Sequence, residues 1–115
     1  MPRRLTSPNN FEVIVGQDST ENHALSSRMK AHDLWFHAKD CPGAHVVLRT
    51  ATKTTRVPQQ DIEWAAGVAA WFSKKKGVGR VNVTCAYGAD VTCIAPKGTV
   101  MCASREFVSV RCQKV

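Results

Sequence analysis

The run Asp33-Leu34-Trp35-Phe36-His37-Ala38-Lys39-Asp40-Cys41-Pro42-Gly43-Ala44-His45-Val46-Val47-Leu48-Arg49 decides the fold. Its first part alternates with period two, so an extended chain points Leu34, Phe36 and Ala38 to one side and Asp33, Trp35 and His37 to the other. The first set reads as core. Cys41-Pro42-Gly43 then makes a turn, and Ala44 to Arg49 is rich in β-formers, so the two parts are expected to pair as a hairpin closed by about five residues.

Upstream of the hairpin, Phe11-Glu12-Val13-Ile14-Val15 has strand character and stops at Gly16. Asp18-Ser19-Thr20-Glu21 opens a short helix over about 19–31, in which Leu25 and Met29 share a face and Arg28 and Lys30 suit the negative end of the dipole. Residues 1–10, with Pro2, Pro8, Arg3, Arg4 and the Asn9-Asn10 pair, read as a flexible basic arm ahead of a domain over 11–115.

Downstream, a polar basic loop leads to Pro58, which suits a first helical turn. Asp61 and Glu63 lie near the positive end of that helix, Lys74-Lys75-Lys76 near the negative end, and Gly77 follows, so a long helix is expected over about 58–76. Ala65, Ala66, Ala69 and Ala70 give it a strip of small residues that can approach a sheet closely, while Ile62, Trp64, Val68, Trp71 and Phe72 make it apolar on most sides. Beyond it, Arg80–Ala86, Asp90–Ile94, Thr99–Cys102 and Glu106–Cys112 read as strands separated by Gly88, Pro96-Lys97-Gly98 and Ser104-Arg105 turns. The expected class is α+β: a mainly antiparallel sheet packed by one long and one short helix.

A chain of 115 residues with 43% apolar and 22% charged residues can bury one core and is not disordered. Sixteen Lys and Arg against nine Asp and Glu give a net charge of +7, which favours polyanionic partners through phosphate neutralisation and counterion release. No segment approaches the ~20 apolar residues that span a bilayer. The five cysteines (Cys41, Cys85, Cys93, Cys102 and Cys112) are odd in number and form no C-x-x-C pair, so a reducing compartment and a cytoplasmic, non-membrane protein are expected.

The block Asp33-Leu34-Trp35-Phe36-His37-Ala38-Lys39, then Pro42-Gly43-Ala44-His45-Val46-Val47, then Ala65-Ala66 and Ala69-Ala70 leading into Phe72-Ser73, resembles the NFACT-R domain of the ribosome-quality-control family that includes the bacterial fibronectin-binding-like proteins. Val15-Gly16, Asn22 before Leu25-Ser26, and Pro96-Lys97-Gly98-Thr99-Val100 extend the similarity from about Phe11 to Val110. It implies an RNA-binding domain, with tRNA, ribosomal RNA, the ribosome itself or a protein as partners and translation quality control or tRNA processing as the setting. The sequence shows no N-terminal NFACT domain, long coiled coil or C-terminal domain, so a stand-alone NFACT-R protein is expected. Ala44 departs from the family, which more often has Ser there.

The expected RNA site is Asp33, Trp35, His37 and His45, with a base stacked on Trp35 and His37 meeting phosphate or a base edge. The pattern alone equally fits a Trp35 in the core and an Asp33 that merely orients His37. Arg49 would grip phosphate beside His45, and the Pro42-Gly43 amides could receive an anion. Lys39, Lys74, Lys75, Lys76 and Arg80 supply a basic rim, with Lys53, Arg56, Lys97, Arg3 and Arg4 as extensions of a phosphate track; capping and solubility explain the lysine triplet equally well. His37, Cys41 and His45 recur every fourth residue, yet the intervening Pro-Gly turn and the want of a fourth ligand argue against zinc, and no cofactor is expected. Cys41 with a histidine and Asp33 has the residue types of a cysteine nucleophile with its base and orienter. RNA binding is therefore the leading reading, with a tRNA-processing or cysteine-dependent enzyme and a protein-binding adaptor as alternatives.

Overall fold

The computed structural model describes residues 2–94 and 99–115; the Pro96-Lys97-Gly98 turn lies outside them. Among the described residues the order is β1 (Arg3–Thr6), β2 (Glu12–Val15), α1 (Ser19–Arg28), β3 (Leu34–Ala38), β4 (Val46–Leu48), α2 (Gln59–Trp71), β5 (Val81–Tyr87), β6 (Val91–Ile94), β7 (Thr99–Cys102) and β8 (Glu106–Val110). Six strands form an antiparallel sheet in the order β1-β2-β4-β3-β5-β8, and β6 and β7 make a separate hairpin. The α+β architecture follows as the alternation predicts: β3 lies in the middle of the sheet and pairs with β4 in the register Leu34↔Leu48, Trp35↔Val47, Phe36↔Val46.

The two faces of β3 meet different cover. On one face Phe36, Ala38, Val46, Leu48, Val13, Val15, Val81 and Val83 pack with Ala65, Ala66, Val68, Ala69 and Ala70 of α2 into the main core. The four alanines of α2 are fully buried, and their small side chains let the helix lie close on the sheet. Each Val or Phe sequestered in this layer contributes about 1.5–3 kcal/mol relative to exposure. On the other face Trp35, Val47 and Ala86 form a smaller cluster, covered by Leu25 of α1, by Met29 just after it and by Val91, Val100 and Cys102 of the β6–β7 hairpin.

Three segments differ from expectation. Residues 3–6 are an edge strand of the sheet, paired Arg3↔Val15 to Thr6↔Glu12, and not a free arm. The prolines that suggested the arm flank the strand, where a missing N–H costs no ladder bond. Helix α1 ends at Arg28, because Met29 turns to extended backbone (ψ 150) and Asp33 captures the N–H of Lys30. Helix α2 ends at Trp71, so Lys74-Lys75-Lys76 lie beyond it and do not cap it. There the chain is diverted to the hairpin loop: Ala44 N–H donates to the Phe72 carbonyl and Lys74 N–H to the Pro42 carbonyl, each at 3.0 Å.

The chain entering β2 is tied to α2 through Asp61, which is fully buried and accepts from the Ser7 hydroxyl, the Asn9 N–H and the Asn9 amide. Burial opposes its charge, but these donors outweigh it and hold the carboxyl below its ordinary value. The stability from Asp61 is therefore fully present above the ordinary carboxylate range and is lost as pH falls below it toward the lowered folded value. Asp61→Asn should lower the unfolding free energy at neutral pH by about 1–3 kcal/mol, read from urea denaturation midpoints. The difference from wild type should shrink toward pH 3; a midpoint equal to wild type at pH 7 would contradict this role.

Candidate nucleic-acid interface

The loop between β3 and β4 and the chain after α2 are stitched together. Gly43 and Ser73 form an antiparallel bridge, and a Cβ on Gly43 would lie 2.9 Å from that of Ser73, so only glycine permits this approach. Ser73 Oγ reaches back to the Ala70 carbonyl (2.8 Å) and accepts from Lys75 N–H (3.1 Å). Across the loop, Asp18 caps α1 by accepting from Glu21 N–H (2.8 Å). Asn22 Oδ1 accepts from His45 N–H, and Gly16 N–H donates to the His45 carbonyl, both at 3.0 Å. A side chain on Gly16 would collide with Asn22.

These ties frame an open cleft of about 790 Å³ between the start of α1, the Pro42-Gly43 loop and the chain after α2. His37, Cys41, His45, Ser73 and Lys74 all line it. The His37 and His45 rings meet edge to face with centroids 5.4 Å apart. His45 is buried and shares a 2.7 Å hydrogen bond with Ser26 Oγ. His37 is half-buried; burial pushes its imidazole below the ordinary value, while its hydrogen bond with the Gly43 backbone acts the other way. Arg3 lies over the Phe72 ring at 5.4 Å, beside the cleft that Phe72 helps to line. Two imidazoles and an ammonium line one opening with the Arg3 guanidinium nearby, and the Asp18 carboxylate that also lines it is engaged by the Glu21 N–H; the cationic groups have the chemistry that receives an anion.

The model of the family described as the NFACT protein RNA binding domain matches residues 1–105. The chain belongs to that family. It is 38% identical over 78 residues to the Rqc2 homolog RqcH of Bacillus subtilis, covering 67% of this chain and 13% of that protein. It is 37% identical over 82 residues to the Rqc2 homolog RqcH of Streptococcus suis, covering 70% and 14%. The chain thus spans about one seventh of the length of these relatives. Among solved structures it resembles the C-terminal part of the fibronectin/fibrinogen-binding protein of Streptococcus suis, with a TM-score of 0.87 and 28% identity over 96% of this chain and 45% of that one.

Within this NFACT RNA-binding domain the expected site residues separate. Only His37, His45 and Lys74 of the expected set line the cleft. Trp35 stacks on His37 (centroids 5.8 Å apart, interplanar angle 10°) but is 3% exposed beneath α1 and the β6–β7 hairpin, so it cannot receive a base. Asp33 precedes β3 and is buried; its carboxylate accepts from the N–H groups of Lys30 and Thr50, both at 2.9 Å. It braces the chain there and does not orient His37, which leaves the combination of Cys41, histidine and Asp33 without its third member.

Arg49 lies at the far end of β4, 3.7 Å from Glu12. Lys53 and Arg56 line a separate pocket with His32 and Tyr87, and Lys97 lies outside the described residues. Lys75 donates to the Lys39 carbonyl (2.8 Å), Lys76 sits 3.7 Å over the Trp71 ring, and Arg80 donates to the Ser109 carbonyl (3.0 Å). Lys39 lies 4.7 Å over the ring of Phe107, a residue the sequence reading did not single out.

All five cysteines are free thiols. Cys41 and Cys112 pack against the main core. So does Cys85, whose thiol burial and the nearby Glu106 push up to about 12. Among the described residues no group of three His, Cys, Asp or Glu side chains is placed to hold a metal ion, and no helix is long and apolar enough to cross a membrane.

The His37 shift carries a testable sign. The fold favours the neutral imidazole, so this group's stabilisation is present above its ordinary value of 6.5 and declines as pH falls through 6.5 toward the lower folded value. In the free domain the His37 ring protons, followed by NMR, should titrate below pH 6.5. A midpoint at or above that value would contradict the burial argument.

Proposed function

We propose that this domain binds RNA by seating a backbone phosphate in the cleft between the Pro42-Gly43 loop and the start of α1. His37 and Lys74 meet the anion, His45 holds the wall in place, and Arg3 and Lys75 extend the positive rim. The observation that carries the reading is the convergence of His37, His45 and Lys74 on one opening in a member of an RNA-binding domain family. The similarity to RqcH proteins supports a role in ribosome quality control, a setting in which tRNA or ribosomal RNA would be the target. The net charge of +7 supplies the non-specific part of the affinity.

Phosphate binding also uses the depressed imidazole. A phosphate beside His37 favours the protonated ring, so binding should raise its folded pKa and tighten as pH falls. Cys41 forms part of the cleft wall and takes no part in binding, so Cys41→Ser should leave affinity unchanged.

Fluorescence anisotropy of labelled tRNA, and of an RNA duplex unrelated to it, tests the proposal across a salt series. Wild type should prefer tRNA. His37→Ala should weaken tRNA binding about tenfold, the scale of one lost charge-assisted hydrogen bond. Lys74→Ala should flatten the slope of log affinity against log salt by about 0.7–0.9, the value of one phosphate contact. Equal binding of the two RNAs by wild type, or tRNA affinity unaltered in His37→Ala, would contradict the cleft as the reading site.

A further inference from the structure

The sheet face that carries His37 continues beyond the cleft. His37 pairs with Thr84 of β5, and Thr84 pairs with Phe107 of β8. Directly opposed residues in antiparallel strands share a face, so His37, Thr84 and Phe107 form one row running outward from the cleft. From the ~4.8 Å spacing of neighbouring strands the row is about 10 Å long. Asn82 and Ser109 are paired next to it and are exposed on the same face. The cover formed by α1 and the β6–β7 hairpin lies over Trp35, Val47 and Ala86. Phe107, two strands from His37, is 49% exposed on the edge strand.

The Phe107 ring is half exposed, and its neighbours specify the charge of a partner that would cover it. Lys39 Nζ lies 4.7 Å and Arg105 Cζ 5.7 Å from the centroid of the Phe107 ring. Two cations thus gather on a single π surface at the rim of a domain of net charge +7. An anionic chain that carries flat, apolar faces satisfies both features: the rings stack, and the phosphates on either side take up the ammonium and the guanidinium. Nucleic acid has this composition, and only an unpaired base can offer its face to a ring on a sheet surface.

We propose that Phe107 is a stacking platform for an unpaired RNA base, with Lys39 and Arg105 holding the flanking phosphates and the His37–Thr84–Phe107 row leading the strand into the cleft. This deepens the RNA-binding reading given above and rests on it. On this face of the sheet the Trp35 ring is buried beneath α1 and the β6–β7 hairpin, whereas the Phe107 ring is half exposed. The preference that results is for single-stranded RNA or for loops whose bases are splayed out.

The test measures affinity of a short fluorescein-labelled polyadenylate strand and of a blunt RNA duplex for wild type, Phe107→Ala, Phe107→Leu and Phe107→Trp, with tRNA binding followed in parallel. Phe107 is half exposed on an edge strand, and unfolding curves of each variant confirm that the fold is kept. Single-strand affinity is expected to fall about tenfold or more in Phe107→Ala and Phe107→Leu and to persist in Phe107→Trp, with the duplex unaffected. Leucine keeps an apolar surface but no π face, so its loss separates stacking from simple burial. Unchanged single-strand affinity in Phe107→Ala overturns the platform, as does equal weakening of strand and duplex. If tRNA binding with its His37 dependence survives in that case, the cleft reading stands alone. If wild type binds no RNA, both fail.

Discussion

Phe36 is fully buried against α2, and its two neighbours in β3 point to the opposite face. That alternation is the constraint on which the rest depends. Because a strand turns every second side chain to the same side, burying Phe36 commits Trp35 and His37 to a face that α2 cannot reach. Among the described residues α1 and the β6–β7 hairpin close over Trp35, while His37, one pleat further along, lines the open cleft. Core and candidate site therefore sit on adjacent residues of one strand, Phe36 and His37, and the first fixes the orientation of the second.

The remaining features of the cleft follow from how its walls are joined. Bringing Pro42-Gly43 against the chain after α2 requires a residue without a side chain at Gly43, and it ends the helix at Trp71 because the Phe72 carbonyl and the Lys74 amide are engaged by the loop. The lysines are thereby taken off the helix axis. Lys74 faces the cleft, Lys75 is anchored on the Lys39 carbonyl, and Lys76 rests on Trp71. The triplet divides among three environments, and Lys74 alone of the three lines the cleft.

Much of this was legible in the sequence. Period two over 33–38, the Pro-Gly turn and the alanine strip of α2 led to the hairpin, the core face and the α+β class, because each is a local pattern with one packing solution. What escaped was set by distant segments. The burial of Trp35 comes from α1 and the β6–β7 hairpin, and periodicity tells which face a residue takes without telling what lies over it. Asp33 looked like a member of the strand pattern, yet the N–H groups of Lys30 and Thr50 draw it into the preceding turn. Arg3 to Thr6 read as an arm because prolines flank it, whereas an edge strand tolerates them there. Phe107 gained meaning only through two successive strand registers that link it to His37.

On the proposal above, RNA lies along the open end of this sheet face, from the cleft to Phe107. Amide and aromatic chemical-shift mapping of the labelled domain, titrated with a single-stranded RNA, tests it most directly. The largest shifts are expected on Gly43, Ala44, Lys74, His37, Thr84 and Phe107, with little change at the opposite end around Arg49, Lys53 and Arg56. Shifts concentrated on that opposite end would contradict it.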